Sequence, residues 1–277
     1  TNWSAMGAGL NNDPNYGEIL SLAVFNNELY AGGYVSSNTA APINCIAKWN
    51  GTSWENVVSS IESFSTNPAI SSMTVYNNEL YVAGSFTSIG GVLARNIAKW
   101  NGTTWSSLGN GLVENPTTSN SYMVRSMLVF NNELYVGGSF NMAGTVSATN
   151  IAKWNGTVWS TLGEGIPTYT IGAPTGVTCL GVYSSEIYAG SFAQGLSKWN
   201  GIEWVHVGGG FGGPNKGAMS LTNYSGKLIV GGSFNVAGID SVNNIAAWDN
   251  IGWSKVVGVN NGDGLNSFVN ALGIYNN

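Results

Sequence analysis

Tryptophans fall in pairs five residues apart along this chain, as Trp49/Trp54, Trp100/Trp105, Trp154/Trp159, Trp199/Trp204 and Trp248/Trp253, with Trp3 alone at the front. These account for all 11 tryptophans, and the pairs recur at a period of roughly 50 residues. Such a period separates an array of self-similar units from a sandwich built around one core.

One unit shows the internal plan. Met127-Leu128-Val129-Phe130 runs into Asn131-Asn132-Glu133, then Leu134-Tyr135-Val136-Gly137-Gly138-Ser139-Phe140, a linker, and Ile151-Ala152-Lys153-Trp154-Asn155-Gly156-Thr157-Val158-Trp159. Short runs rich in β-branched and aromatic residues, bounded by Asn and Gly, are strand signals. Each unit therefore reads as four antiparallel strands, A to D. Asn131-Asn132 and Asn155-Gly156 read as two-residue hairpin turns, because Asn and Gly tolerate positive φ.

Four-stranded units of this period predict an all-β chain, a β-propeller of antiparallel blades. The tryptophans are expected to fill the space between sheets in preference to stacking on sugars. Blades are expected at 20–58, 71–109, 125–163, 178–208 and 219–258 of a single domain spanning 1–277, with lone strands at 2–7 and 268–275. Five whole blades with an unmatched D strand in front and an unmatched A strand behind favour a six-position ring. The alternative is a closed five-bladed ring carrying the terminal strands as extras. The lack of an initiator Met, signal peptide and tag suggests a mature or excised segment.

Charge and cysteine content narrow the function. With net charge −5 and two arginines, Arg95 and Arg125, the chain lacks the basic stripe that nucleic acid requires. No run of 18 apolar residues occurs, so no helical membrane insertion is expected. Cys45 and Cys179 read as buried small residues on separate units, not as a disulfide.

Differences between units are informative. Glu28, Glu79, Glu133 and Glu186 open strand B in four units whose strand C carries Lys48, Lys99, Lys153 and Lys198; the fifth has Lys227 and Ala247 instead. Joint change across adjacent antiparallel strands predicts a cross-strand ion pair, not a ring of catalytic carboxylates. The A–B and C–D turns are short, whereas the D–A and B–C connections are longer and differ between units. The long connections emerge at one end, where binding residues are expected. Tyr16, Phe64, Tyr122, Tyr169 and Phe211, with Asp240 and Asp263, are the candidate ligand-binding residues there, in a mixture of aromatic, amide and carboxylate groups that suits sugars or peptides. Asn115, Asn120 and Asn215 lie nearby in sequence. The competing reading has several of these rings covering the core.

The inventory for catalysis is poor. His206 is the single histidine, in a strand D position that other units fill with Ser107 or Thr161. That leaves too few ligands for a zinc or copper site and no G-x-S-x-G elbow for a Ser-His-Asp triad. Nothing in the sequence pairs two of Glu18, Glu62, Glu114, Glu164 and Asp263 for glycoside hydrolysis. Asn260-Asn261-Gly262-Asp263-Gly264 lacks the spacing and final Glu of a calcium loop and reads as a turn. No catalytic residue, metal or cofactor is expected, and the chain reads as a non-enzyme.

The stretch Leu134-Tyr135-Val136-Gly137-Gly138-Ser139-Phe140, followed by Asn150-Ile151-Ala152-Lys153-Trp154-Asn155-Gly156-Thr157 and Trp159, with its counterpart from 80 to 109, resembles the kelch-like repeats of large secreted surface proteins of Bacteroidota-type bacteria. It is also similar to repeats in fungal cell-surface polarity proteins. The resemblance covers nearly the whole chain. It implies export to the exterior or cell surface, often with a C-terminal sorting domain, and it carries no shared catalytic set. The fourth unit departs from the pattern, with only Ala193-Gln194-Gly195 between strands B and C, which should lower one side of the long-connection end. Two functions follow as expectations. One is an adhesion module recognising a glycan or cell-surface protein. The other is a structural spacer or assembly component partnered by neighbouring repeats of the same polypeptide.

Overall fold

A computed structural model describes residues 4–10, 17–36, 44–63, 68–113, 124–167, 176–192, 194–213, 216–256 and 264–275. Every regular element among them is a strand. Five four-stranded sheets carry the expected order A-B-C-D. Sheet 1 is Glu18–Phe25, Glu28–Ser36, Asn44–Trp49 and Trp54–Asn56; sheet 2 is Ala69–Tyr76, Glu79–Ser85, Ile97–Trp100 and Trp105–Ser107. Sheet 3 is Val124–Phe130, Glu133–Gly138, Ile151–Trp154 and Trp159–Ser160; sheet 4 is Val177–Tyr183, Glu186–Ser191, Gly195–Trp199 and Trp204–His206. Sheet 5 is Gly217–Tyr224, Lys227–Ser233, Ile245–Trp248 and Trp253–Lys255.

The chain divides into two compact units where the sequence suggests one domain. The first is Thr1–Val136 with Phe140–Ser147 and Lys153–Ser160, and the second is Gly137–Ser139 with Ala148–Ala152 and Thr161–Asn277. Repeats that touch only their neighbours in sequence have no shared centre to prevent such a division.

The two kinds of tight turn differ from each other. Asn26 and Asn27 have φ of 49° and 62°, and Asn77/Asn78, Asn131/Asn132 and Ser184/Ser185 repeat this, so the A–B turns are the expected two-residue type. The C–D connections are four-residue loops, a correction to the two-residue reading. Trp49 pairs with Trp54 across the ladder, and the Asn50 carboxamide oxygen accepts from the backbone N–H groups of Thr52 and Ser53 at 2.9 and 2.8 Å. An Asn side chain that holds the two following N–H groups closes a wider loop by itself.

Within each unit, neighbouring sheets lock by a knob and a hollow. A Cβ on Gly32 of strand B would lie 2.6 Å from Ile70 Cγ2 and 3.2 Å from Met73 Cε, so the absent side chain is the space those residues occupy. In the second unit Gly137 makes the same room for Val177 and Leu180, Gly190 for Ala218, and Gly231 for Val269 and Leu272. A hydroxyl strengthens the contact: the N–H of Met73 donates to Ser21 Oγ at 2.9 Å, that of Met127 to Ser72 Oγ at 3.1 Å, and that of Leu272 to Ser220 Oγ at 2.9 Å. Full burial of Ile70, Leu80, Val82 and Ile97 in one unit, and of Val177, Leu196, Ala218 and Val230 in the other, follows from this spacing.

The lone strands expected at 2–7 and 268–275 are not strands among the described residues, 4–7 and 268–275. A strand exists only through a ladder, and among the described residues neither segment is paired in one. Both nevertheless keep the register of the repeat. The N–H of Gly9 donates to the Met6 carbonyl at 3.2 Å, as Gly111 does to Leu108, Gly165 to Leu162 and Gly210 to Val207. The N–H of Val269 donates to the Gly232 carbonyl at 3.0 Å.

Candidate functional site

The long connections are regular structure, not variable loops, wherever both halves are described. Between strands B and C lies a short hairpin, Ser88–Ile89 with Val92–Leu93, Met142–Ala143 with Val146–Ser147, and Val236–Ala237 with Asp240–Ser241. Each pairs with a two-residue strand of the preceding D–A connection, Ile61–Glu62, Leu112–Val113 and Phe211–Gly212 respectively, into a three-stranded sheet. The near-identical spacing of Ser85-Phe86, Ser139-Phe140 and Ser233-Phe234 from the following strand C is the sequence sign of these hairpins.

In three repeats one residue ties the hairpin to the next connection. A residue at or within one place of the start of strand C has positive φ in all five repeats: Cys45 at 61°, Asn96 at 64°, Asn150 at 64°, Gly195 at 69° and Asn244 at 61°. Left-handed backbone favours Asn and Gly, which is why three of the five are Asn. Their carboxamides reach the same target, Asn96 Nδ2 donating to the Leu112 carbonyl at 2.7 Å, Asn150 to Ile166 at 2.7 Å and Asn244 to Leu265 at 2.8 Å. The backbone completes the tie, with the N–H of Leu112 donating to Arg95 O and that of Leu265 to Asn243 O. In sheet 1 the Cys45 thiol donates elsewhere on the connection, to the Pro68 carbonyl at 3.1 Å, just ahead of strand A of sheet 2. The connecting strand Leu112–Val113 is thus held from both sides, by Asn96 and by the Met142–Ala143 hairpin, and the hairpins form a platform at the long-connection end of each unit.

The sequence-derived candidates divide sharply on this platform. Tyr16, Phe64, Tyr122, Tyr169 and Asp263 lie outside the described residues, as do Asn115, Asn120 and Asn215. Phe211 is core, at 8% exposure: its ring stacks on Phe234 at 4.1 Å and tilts against Trp253 at 5.0 Å. The cause is Gly195, where a Cβ would meet the Phe211 ring at 2.8 Å, so the phenyl group fills the room that an Asn side chain takes in other repeats. Asp240 is half-buried beside the hairpin tip and pairs with Ala237. Its neighbour Ile239 is fully exposed, and Leu93 on the sheet 2 hairpin is 66% exposed. Neither residue is marked in the sequence, because an isolated apolar residue in a Gly-rich connection carries no periodic signal. In the fourth repeat Gln194 replaces the hairpin and donates from Nε2 to the Pro167 carbonyl at 3.1 Å.

At the opposite, short-turn end of the first unit a groove of about 180 Å³ opens between sheets 1 and 2, lined by Asn26, Glu28, Tyr30, Lys48, Asn56 and Trp100 among others. Its charges are mutually satisfied. Lys48 Nζ lies 2.8 Å from Glu28 Oε1, and Tyr30 Oη donates to Glu28 Oε2 at 3.3 Å. The Lys48 ammonium holds the Glu28 carboxyl below its ordinary range, and the carboxylate in turn raises Lys48. The same cross-strand pair recurs as Lys99–Glu79, Lys153–Glu133 and Lys198–Glu186 at 2.8–2.9 Å. Sheet 5 inverts the device: Lys227 donates to Ser254 Oγ at 3.0 Å and faces Asp249, 3.9 Å away, where the other repeats carry Asn at the C–D loop. His206 is exposed on strand D of sheet 4, and the two cysteines are free and buried.

No family model matches the sequence, and no curated protein matches it. Among solved structures the chain is similar to the computationally designed protein Ika8, at 16% identity and a TM-score of 0.49, over 94% of this chain and 66% of that protein's length.

Proposed function

We propose that the chain is a segment of a kelch-like β-propeller that acts as a non-catalytic recognition module outside the cell, engaging a glycan or a cell-surface protein with its hairpin platform. The observation that carries the reading is the tie from Asn96, Asn150 and Asn244 to the following connection, a carboxamide, buried at Asn96 and Asn150, that fixes the start of that connection. Fixed loops bind without a large ordering cost. Ile239 at a hairpin tip of the second unit and Leu93 at a hairpin base of the first are exposed, side chains with no role in the core. The four-stranded sheets in A-B-C-D order, stacked through glycine hollows, support the propeller arrangement.

The test is binding of the chain to a glycan array and to intact cells from which surface proteins are or are not stripped by protease. Leu93→Asp and Ile239→Asp are expected to abolish whichever binding is found while leaving the thermal midpoint unchanged. Binding that survives both substitutions refutes the platform, and absence of binding to every surface favours the spacer function.

A further inference from the structure

Sheet 1 presents the outer side of its strand A bare. Ile19 and Leu22 are 43% and 60% exposed, whereas Ile70 and Met73, at the same places in sheet 2, are 0% and 7% exposed. Leu20 and Val24, 41% and 66% exposed, extend the patch. The side chains themselves are ordinary for the repeat, since the pair recurs as Ile70/Met73, Val124/Met127, Val177/Leu180, Ala218/Leu221 and Val269/Leu272. What differs is the neighbour. Ile70 and Met73 fill the hollow at Gly32 of the preceding sheet, Val177 and Leu180 the one at Gly137, and Val269 and Leu272 the one at Gly231. Ile19 and Leu22 are a knob with no hollow.

Residues 4–10 say what belongs there. The Gly9-to-Met6 turn is the one that ends strand D in later repeats. Gly7, at φ +59°, sits against the Trp49 ring and the Thr52 carbonyl, with ideal-Cβ distances of 3.2 and 3.1 Å. Gly163 is placed the same way against Trp199 and the Ile202 carbonyl, at 3.3 and 2.8 Å, and there it follows strand D of the sheet before. Residues 4–7 are therefore placed on sheet 1 as the residues closing strand D of one sheet are placed on the next.

We propose that the bare face of sheet 1 is the seat of one further repeat sheet, whose outer strand ends in residues 4–7. Its strand B carries Gly at the position of Gly32, or Ala as at Ala83, to receive Ile19 and Leu22, and its strand A carries a small residue at the position of Ser21, Ser as in sheets 1, 2, 3 and 5 or Cys as at Cys179. A second copy of this chain does not meet the requirement, because the hollows at Gly32, Gly137, Gly190 and Gly231 are each occupied by the chain's own side chains. The inference is independent of what the hairpin platform binds.

The experiment extends the chain by a copy of residues 217–252 joined directly ahead of Trp3, so that Trp3 takes the place of Trp253. Amide exchange over residues 18–25 is expected to slow by about tenfold or more and the thermal midpoint to rise, as for any segment moved from an edge into a packed array. The same extension with Gly231→Trp in the added copy is expected to do neither. Unchanged exchange in the first extension, or equal slowing in both, overturns the proposal. In the unextended chain Leu22→Asp is expected to shift the midpoint by less than about 1 °C, whereas Met73→Asp lowers it several-fold more. Equal losses would mean that the face is already covered and would refute the proposal. So would a concentration-dependent dimer abolished by Leu22→Asp, which would assign the face to a second copy.

Discussion

Replacing Asn96 probes the tie that builds the platform, and the structure separates its effect into two parts. The side chain is 8% exposed, and it serves two backbone groups, donating to the Leu112 carbonyl at 2.7 Å and accepting from the Phe86 N–H at 3.2 Å. The Leu112 carbonyl has no substitute, because the bonds to the hairpin use the carbonyls of Gly111 and Val113 instead. Asn96→Gly strands both groups while keeping the left-handed backbone, and two buried groups left without partners cost about 2–4 kcal/mol together. Asn96→Ala adds the strain of a Cβ at φ 64°, a further 1–2 kcal/mol or so. Urea unfolding followed by tryptophan fluorescence reads both values from the midpoint and slope. The comparison is Asn244→Gly, where the same bond to the Leu265 carbonyl is exposed to water and its loss should cost only about 1 kcal/mol. If Asn96→Gly and Asn96→Ala are indistinguishable, or if Asn96→Gly costs no more than Asn244→Gly, the reasoning is refuted.

Cys45→Asn is expected to stabilise the chain by about 1 kcal/mol, since Asn tolerates φ 61° better than Cys does and restores the carboxamide of the other repeats; a lowered urea midpoint would contradict this. Burial pushes both thiols up to about 12, so Ellman's reagent at pH 8 should label neither Cys45 nor Cys179 until the protein unfolds. Because its carboxyl is depressed in the fold, the stability Glu28 contributes is present above the ordinary Glu value of 4.5 and lost as pH falls through the lower folded value. An NMR titration should show this depression vanish in Lys48→Met. Lys227→Glu should cost sheet 5 about 0.5 kcal/mol by placing a carboxylate opposite Asp249, and adding Ala247→Lys should restore it, as a double-mutant cycle on urea midpoints would show.

Much of the fold was legible because each repeat checks the others. The Glu–Lys covariation gave the cross-strand pairs at 2.8–2.9 Å, and Asn26-Asn27 gave the A–B turn. The platform was harder to read. Its strands are two residues long, too short for any periodicity, and its tie depends on the backbone angle of Asn96 and its equivalents, which an Asn next to an apolar run does not announce. Phe211 was mistaken for a ligand-facing ring because its reason for burial lies 16 residues earlier, in the missing side chain of Gly195. The role of Asp249 is not legible in the sequence, because it depends on Lys227, 22 residues earlier, being brought to 3.9 Å from its carboxylate.

The knob and hollow between sheets have a direction. Gly32, Gly137, Gly190 and Gly231 each receive apolar side chains from the segment that follows, with Ala83 standing at that place in sheet 2, so the contact is head-to-tail and never self-complementary. A duplication of one repeat brings in one knob and one hollow together and leaves every existing contact matched. Such a chain can therefore lengthen or shorten by whole repeats without redesign of any interface, whereas inverting the order of strands within a single repeat would break two at once.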